Sequence, residues 1–511
     1  MGVSVNDILR QWDEVAAGRA GFQSVWQEIA DHLLGRRDFT GAGASPATPG
    51  RKRMARIYDT TGLQAADLLA AALHSFLTNP ALRWFGLRPE DDFLAEDDAV
   101  RGWLGAAEDV LYAAFNGPDA NFAPQIHEVY LDQVAFGTAA LYVGDRPGRG
   151  LLFSARPLGE IHIAENAEGR VDTVFRRFRF TARQAHQAWG PAAGKAVTAA
   201  LEAGKGERSF AFLHCVKPFS DAARSGPRTG TRAAFAFGSY YVNLDERALV
   251  AAGGYHEMPY MVPRWSKDAG EIYGRAPGWN ALPDQKMLNE MSRTTLKAAQ
   301  KAVDPPLLIA DDGVVMPLRT QPGGINVVRA GALSQDPLRP LPAAPRIDIG
   351  LEMMEQRREA VRAAFHGGLL QLFQDPRMSA TQVLQLVQEM QRLLGPMLGR
   401  QQAELLEPMI ERVFGILLRA GMLPPLPDAL IGVPLRVDHV SPIARAQKAG
   451  DAQAVLRTLE AAEAMAAIDP QVTDLIDPDA GLRLIAEANG VPAKALRGAE
   501  DVAVMRALRA V

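Results

Sequence analysis

The chain has 511 residues and 48% hydrophobic content, which is enough to bury several cores and suggests roughly three domains. Its 55 basic and 59 acidic residues give a net charge of −4, which argues against a protein that grips nucleic acid through a strongly basic surface, although not against a channel through which DNA slides. Cys215 is the only cysteine, so an intrachain disulfide and a cysteine-based zinc site are excluded, as is typical of assembly in a reducing cytoplasm.

The sequence predicts neither a signal peptide nor a membrane span. Its first residues, MGVSVNDILRQWDEV, are polar and amphipathic and lack the apolar core of a signal peptide. No run of about 18 uncharged apolar residues occurs anywhere in the chain. We therefore expect no membrane among its partners.

Helices dominate the predicted N-terminal part of the chain, where apolar residues recur at helical spacing. In chain order we expect a helix over 5–35, a helix capped by Asp59, Thr60 or Thr61 and ended near Leu77 by Asn79-Pro80, a strand around Trp84–Leu87, and helices over 97–116 and 121–136.

Short β-branched and aromatic runs separated by turn residues predict strands in the middle of the chain. The expected strands are 139–143, 151–154, 161–163, 171–175, 208–218 and further strands within 233–264, with a small helix at 181–190. Residues 1–270 are therefore expected to have a mixed α+β architecture.

Two charged helices are predicted within residues 271–368. The first is expected from about Pro283 to Val303 after the segment EIYGRAPGWNALPDQKMLNEM, and the second from about Ile347 to Phe365, where His366-Gly367-Gly368 ends it. Between them, prolines, turn glycines and β-branched residues predict a small β tip projecting from the body. At about 21 residues, the first helix would span roughly 30 Å, which is long enough to wall a channel.

Both predicted helices carry a stripe of like charge along one face. The basic stripe is Lys286, Arg293, Lys297 and Lys301, and the acidic stripe is Asp348, Glu352, Glu355 and Glu359. Three hypotheses remain open: the stripes pair, within one chain or between neighbouring copies; both are solvated faces, whose isolated pairs contribute about 0–1 kcal/mol each; or the basic stripe lines a channel and touches phosphates.

The longest helical tract is predicted over 379–420, with Ser379 as a cap. Pro396 and Pro408 are expected to bend or divide it, because each removes a backbone donor. A strand is expected over 435–441. The Ala-rich remainder, from about Pro442, is expected to be helical.

No catalytic motif was found. The chain has no Gly-x-x-x-x-Gly-Lys-Ser/Thr loop, no His-Glu-x-x-His and no Gly-x-Ser-x-Gly elbow, so ATP hydrolysis for pumping DNA would belong to another protein. The acidic runs at 90–92 and 96–98 could hold a metal, but a solvated loop and helix start is favoured because acids suit a helix N-terminus. We expect no enzyme activity, metal or cofactor.

Seven segments, in order, resemble the head-to-tail connecting (portal) proteins of short-tailed bacteriophages. They are IYDTTGLQAADLLAAALHSFLTNPALRWFGL (57–87), FGTAALYV (136–143), YGRAPGWNALPDQKMLN (273–289), DPPLLIADDG (304–313), PRMSATQVLQ (376–385), LGPMLGRQQAELLEPMIERVFGIL (394–417) and SPIARAQ (441–447). One departure is Gln382, where the family often has Glu. Each segment alone is weak, but their shared order makes chance similarity improbable.

The resemblance implies an α+β, mainly helical portal fold that forms a ring, with these regions: wing 1–270, first stem helix and its lead-in 271–303, clip 304–346, second stem helix 347–366, tunnel loop 367–378, long helix and return to the wing 379–440, and crown 441–511. It further implies a dodecamer at one capsid vertex of the virion, assembled in the host cytoplasm. The channel would serve genome packaging and ejection.

The resemblance also implies partners and contact residues. Double-stranded DNA would pass the tunnel loop, with Gly367, Gly368, Gln371, Gln374 and Arg377 as candidate channel residues. The loop leucines could instead join the core. The clip would meet terminase and then the tail adaptor, with Asp311, Asp312, Arg319 and Arg329 as candidate contacts. Further expected partners are the major capsid protein and scaffold.

Two alternatives from other classes remain at this stage. A tail adaptor would also form a ring, but such proteins are usually smaller and lack the stem hairpin. A nucleic-acid-processing enzyme with a helical cap would be a compact monomer with a clustered acid or metal site. A small two-stranded tip is marginal in water on its own, which favours a ring in which neighbours supply its missing partners.

Overall fold

The structure, a computed structural model, is a mixed α+β fold in which helix predominates. It describes residues 4–35, 56–91, 93–94, 97–146, 148–219, 235–303, 307–309, 338–340, 347–368, 395–439, 452, 454–463, 465, 477–488, 497 and 499–509.

The helices fall where apolar residues recur at helical spacing, as predicted. They are α1 Val5–Ile29, extended by a π-helical turn over Ala30–Leu34, α2 Thr61–Leu77, α3 Asp98–Phe115, α4 Phe122–Phe136, α5 Ala182–Trp189, α6 Lys195–Glu202, α7 Pro277–Val303, α8 Ile347–Ala364, α9 395–401, α10 Glu407–Arg419, α11 454–463, α12 Pro478–Ala488 and α13 Ala499–Arg509. Of these, α6 was not predicted.

The predicted strands are present as well. They are β1 Phe85–Pro89, β2 Leu141–Arg146, β3 Gly150–Ala155, β4 Ile161–Glu165, β5 Val171–Thr181, β6 Ser209–Pro218, β7 Phe237–Asn243, β8 Ala248–Tyr255, β9 Tyr260–Met261, β10 Leu307–Ile309, β11 Leu338–Pro340 and β12 Leu435–His439. Among the described residues they form antiparallel sheets in the orders β4-β5-β6-β7-β8, β3-β2-β9, β1-β12 and β10-β11. β5 extends six residues past the predicted end at Phe175, because it pairs with β6 to Thr181.

The five-stranded sheet is covered on both faces, and the central strand β6 shows why. Phe210 and Phe212 belong to an apolar cluster with α5 and α6, whereas Leu213 and Cys215 belong to a cluster with the start of α1. Alternate residues of a strand point to opposite faces, so a strand buried on both sides carries apolar residues at nearly every position.

The main core unites the second half of α1, α2, α3, α4, the three-stranded sheet, the first turns of α7, the end of α8, and α10. Two indole groups connect three of these elements by hydrogen bonds to a single carbonyl group. The Trp26 and Trp279 Nε1 groups donate to the same carbonyl oxygen, that of Phe136, at 3.0 and 2.8 Å. This ties α1 and α7 to the C-terminal end of α4.

The first long charged helix begins at Pro277, six residues before the predicted start at Pro283. The prediction took Pro283 as the first helical residue, but Pro277 holds that position, where a proline's fixed φ and missing donor are harmless. Pro283 lies inside α7 with its ring exposed. The second charged helix is confirmed over Ile347–Ala364.

The tract predicted over 379–420 is helical where it is described, from 395 to 419. Residues 369–394 lie outside the described part. A π-helical segment, Gln402–Leu406, ends two residues before Pro408, whose missing N–H would otherwise serve the carbonyl of Glu404. The helical backbone continues through this segment into α10, so Pro408 is accommodated by π-helical geometry and does not divide the tract. In the C-terminal region the described segments are helical, also as predicted.

Glycine lets the start of α7 lie directly on the end of α4. A Cβ built on Gly278 would overlap the Ala135 carbonyl oxygen, and one built on Gly137, at φ +90°, would overlap that of Gly274. Backbone atoms cannot move aside as the end of a flexible side chain can. The close approach of α7 to α4 therefore explains the two glycines of the YGRAPGW segment.

Gly278→Ala is expected to destabilise the protein by about 1–3 kcal/mol, because the added methyl forces α7 away from α4. Gly102→Ala is the matched control, since Gly102 is an exposed helical glycine in α3 where an added Cβ would have no atom within 4 Å. There alanine should stabilise by roughly 0.5–1 kcal/mol. Urea denaturation followed by circular dichroism measures both. Equal effects of the two changes would refute the close-packing argument.

Candidate functional site

The helices α7 and α8 form an antiparallel hairpin, called the stem below, that extends from the main core. With 27 residues, α7 is about 40 Å long. The two helices approach closely: the Ser292 hydroxyl lies 3.3 Å from the Met354 sulfur, and a Cβ on Gly350 would lie 3.2 Å from the Thr295 hydroxyl oxygen. Asp284 and Arg357 add an ion pair of 2.9 Å between the helices.

Only the base of the stem is buried in the core. Leu282 and Leu288 from α7 and Val361 and Phe365 from α8 are core residues. Beyond them no described residue of 290–303 is buried, and Met354 is the only buried residue of 348–360. Among the described residues, the far part of the stem thus packs mainly as one helix against the other, and most of its side chains are exposed.

Large apolar side chains are exposed along that stem. They are Met287, Leu296, Val303, Ile349, Leu351 and Met353, each 44–87% exposed. Scattered exposed leucines are ordinary, but six on one narrow hairpin form a surface that the single chain leaves uncovered.

Lys286, Arg293 and Glu355 of the predicted charge stripes each have a partner outside the opposite stripe. Lys286 binds Glu28 of α1 at 2.8 Å, and Arg293 lies 3.5 Å from Glu290 of its own helix. Glu355 accepts from Arg358 and Arg362 of α8, each at 3.0 Å, and these bonds hold the pKa of Glu355 below its usual value. The remaining stripe residues, Lys297, Lys301, Asp348, Glu352 and Glu359, are all exposed.

The other predicted contact residues are only partly within the described chain. Gly367 is buried against Arg362 and Gly368 is exposed at the end of the stem. Gln371, Gln374 and Arg377 of the predicted tunnel loop, and Asp311, Asp312, Arg319 and Arg329 of the predicted clip, lie outside the described residues. What is described of the clip is the antiparallel pair β10-β11, with Leu307 opposite Pro340.

Polar residues at the base of the stem were missed by the sequence analysis. Gln285 and Asn289 are 0% and 3% exposed on α7, although both are amides. Asn289 accepts from the backbone N–H of Tyr58 at 3.0 Å and donates to the His32 carbonyl at 3.0 Å. The detectable signal was the position of both amides on the apolar face that carries Ala281 and Leu288.

A buried ion network fixes the chain just before α7. Arg264 is 1% exposed and bonds Glu404 of the π-helical segment through its backbone N–H at 2.8 Å, Nε at 3.1 Å and Nη2 at 2.6 Å. It also pairs with Glu165, which Lys267 contacts at 2.6 Å. Burial alone would lower the pKa of Arg264, but these carboxylates outweigh it and raise that pKa. The network joins β4, the lead-in to the stem and the helix after it.

Asp97 of the acidic run accepts from the backbone N–H groups of Ala99 and Val100, as a helix cap should. Within the described ranges, no group of three or more His, Cys, Asp or Glu could hold a metal ion. A search of the same residues finds no helix with the length and hydropathy needed to span a bilayer.

Comparison with known proteins identifies one family and relatives that agree with it. Residues 5–496 match the family described as Bacteriophage head to tail connecting protein. The chain is 30% identical over 98% of its length to a "Probable portal protein" of Bordetella phage BPP-1, and 27% identical over 98% to a "Portal protein" of Salmonella phage epsilon15, covering 90% of each relative. A chain in a solved "Virion of native gene transfer agent (GTA) particle" matches 78% of this chain and 86% of its own at 12% identity and a TM-score of 0.34, too low to establish a common fold.

Arg264→Met is expected to lower the free energy of unfolding by about 3 kcal/mol, because it removes the most buried cation of the network and leaves the partly buried Glu404 with Arg400 alone. Arg275→Met is the matched control: it breaks the exposed pairs with Glu271 and Asp268 and should cost at most about 1 kcal/mol. Guanidinium denaturation of both variants measures the difference. A loss for Arg264→Met no larger than for the control would contradict the importance of this network.

Proposed function

This chain belongs to the bacteriophage head to tail connecting protein family and acts as a portal, a virion component at the head-tail junction, and we propose that it works as a ring of identical copies whose stems surround a channel for DNA. By the same resemblance the ring is a dodecamer at one capsid vertex, assembled in the host cytoplasm.

The observation that supports a ring is the exposed apolar surface of the stem. Burying a fully exposed side chain of this kind gains about 1.5–3 kcal/mol, and these side chains, which are 44–87% exposed, would gain roughly half or more of that. A neighbouring stem lying alongside offers a surface of the same composition, so each copy can cover the next. A head-to-tail contact of this kind closes into a ring when its rotation divides the circle.

Charge then sets the register between neighbours. An exposed ion pair contributes about 0–1 kcal/mol, which is less than one buried leucine. Pairs between the basic stripe of α7 and the acidic stripe of α8 would therefore contribute little to the stability of the contact. They would favour one alignment of neighbouring stems, because a shifted stem would place like charges opposite each other. Lys297, Lys301, Glu352 and Glu359 are exposed and suited to such intersubunit pairs. Glu355 has partners on its own helix and contributes less.

The two ends of the stem would meet the partners of the portal. Residues 367–378, which follow α8, form the proposed tunnel loop, with Gln371, Gln374 and Arg377 toward the DNA. The clip at the other end, including Asp311, Asp312, Arg319 and Arg329, would dock terminase during packaging and a tail adaptor afterwards. The major capsid protein and scaffold would be further partners of the ring. These assignments rest on the resemblance of the segments to the family.

The double change Leu296→Glu with Leu351→Glu should abolish the ring and leave the monomer folded, because both side chains are more than half exposed in one chain and buried in the proposed assembly. Mass photometry should show the single-chain mass, with an unchanged circular dichroism spectrum. Gln300→Glu is the control, since it adds negative charge to an exposed position of α7 without removing an apolar side chain. Intact rings from the double variant would overturn the proposed stem contact.

A further inference from the structure

A single loop residue, Asp59, holds both stem helices and the start of α2. Its carbonyl oxygen accepts from Gln285 Nε2 of α7 at 2.9 Å, and its backbone N–H donates to Asn289 Oδ1 at 3.1 Å. One carboxylate oxygen accepts from the Thr61 N–H at 2.9 Å, and the other accepts from Arg358 Nε of α8 at 2.9 Å. Three helices thus meet through the backbone and side chain of one residue.

These contacts lie where the stem leaves the core. From residue 290 onward no described residue of α7 is buried, so these last 14 residues form an arm about 20 Å long with α8 as its partner. A tilt of about 10° at the base would displace the far end of that arm by about 3–4 Å. Whatever fixes the angle at the base therefore sets the position of the whole stem.

The link from Asp59 to α8 is shielded from solvent more than an ordinary surface pair. The Asp59 side chain is 9% exposed and that of Arg358 is 29% exposed, whereas Glu355, the other partner of Arg358, is 49% exposed. Burial opposes ionisation of Asp59, but hydrogen bonds from Thr61 and Arg358 outweigh it and lower the pKa of Asp59. The carboxylate therefore stays charged, and the pair stays formed, at neutral pH.

We propose that Asp59 is a positioning residue that fixes the angle of the stem, and that loss of its bond to Arg358 lets the stem tilt. Gln285 and Asn289 hold the Asp59 backbone to α7, so α7 keeps its attachment when the carboxylate changes. Arg358 is the contact from α8, and without it the loop no longer spans the two helices. The consequence for bore width rests on the proposed ring, but the angle itself is a property of one chain.

The test is single-molecule energy transfer between dyes at Ala106→Cys on α3 and Gln300→Cys on α7, both exposed positions. Labelled chains are diluted among a large excess of unlabelled chains before assembly, so each particle carries one dye pair. The native Cys215 does not interfere, because it is 0% exposed and burial raises the pKa of its thiol to about 12. The full-length protein is compared with Asp59→Asn, Arg358→Met and the double variant.

Asp59→Asn keeps an oxygen for the Thr61 N–H and both backbone contacts, but removes the charge and replaces the oxygen that accepts from Arg358 by an NH2 donor. Both single variants should broaden or shift the distance distribution, and the double variant should do so no further than either one. Arg358→Lys should restore part of the wild-type distribution. Glu355→Gln, which breaks only bonds within α8, should match the wild type.

A wild-type distribution in Asp59→Asn and Arg358→Met would overturn the proposal, as would an effect of Glu355→Gln equal to theirs. If Asp59→Asn does not fold, Arg358→Met decides alone, since its side chain is partly exposed. Particle mass is recorded in the same samples. A wild-type chain that remains a monomer contradicts the ring, while the distances within that chain still decide the role of Asp59.

Discussion

The burial of the stem at one end only is the constraint on which the rest of the structure depends. Leu288 and Phe365 are wholly buried in the core, while Leu296, Leu351 and Met353 along the arm are at least half exposed. Two helices side by side cannot cover each other all round, and exposed apolar surface of this kind is costly in water. In the proposed ring, neighbouring copies cover the arm, so the residues that leave the hairpin exposed in one chain are the ones that would drive assembly.

An arm of this length works as a channel wall only if its base is fixed, and the base is the part of the stem with the most specific contacts. Gly278 lets α7 lie on α4 without a side chain between them. Arg264 joins the lead-in of α7 to the π-helical segment through Glu404, and Asp59 spans α7 and α8. The glycine contacts allow the helices at the base to approach closely, and the buried ion pairs hold those helices in their orientation. Substitutions at either kind of contact are expected to cost more stability than substitutions on the exposed arm.

Local features of this design were predictable from the sequence, and contacts between distant segments were not. The helical spacing of apolar residues predicted the bounds of α8 to within one residue, and turn residues between short apolar runs predicted most strands of the sheets. The start of α7 was misplaced because both Pro277 and Pro283 suit a helix start, and only the packing on α4 distinguishes them. Asp59 was one of three predicted caps of α2, and although Thr60 holds the N-cap position, the Asp59 carboxylate accepts from the Thr61 N–H; its bond to Arg358, however, joins residues 299 positions apart. Local spacing carries no information about such a pair, nor about Lys286 with Glu28.

The most direct measurement is electron cryomicroscopy of the purified full-length chain. We predict closed rings with an axial channel in which the exposed stem residues Leu296, Leu351 and Met353 of each copy are covered by the next copy. A monodisperse monomer, or a ring in which those side chains still face solvent, would contradict this prediction.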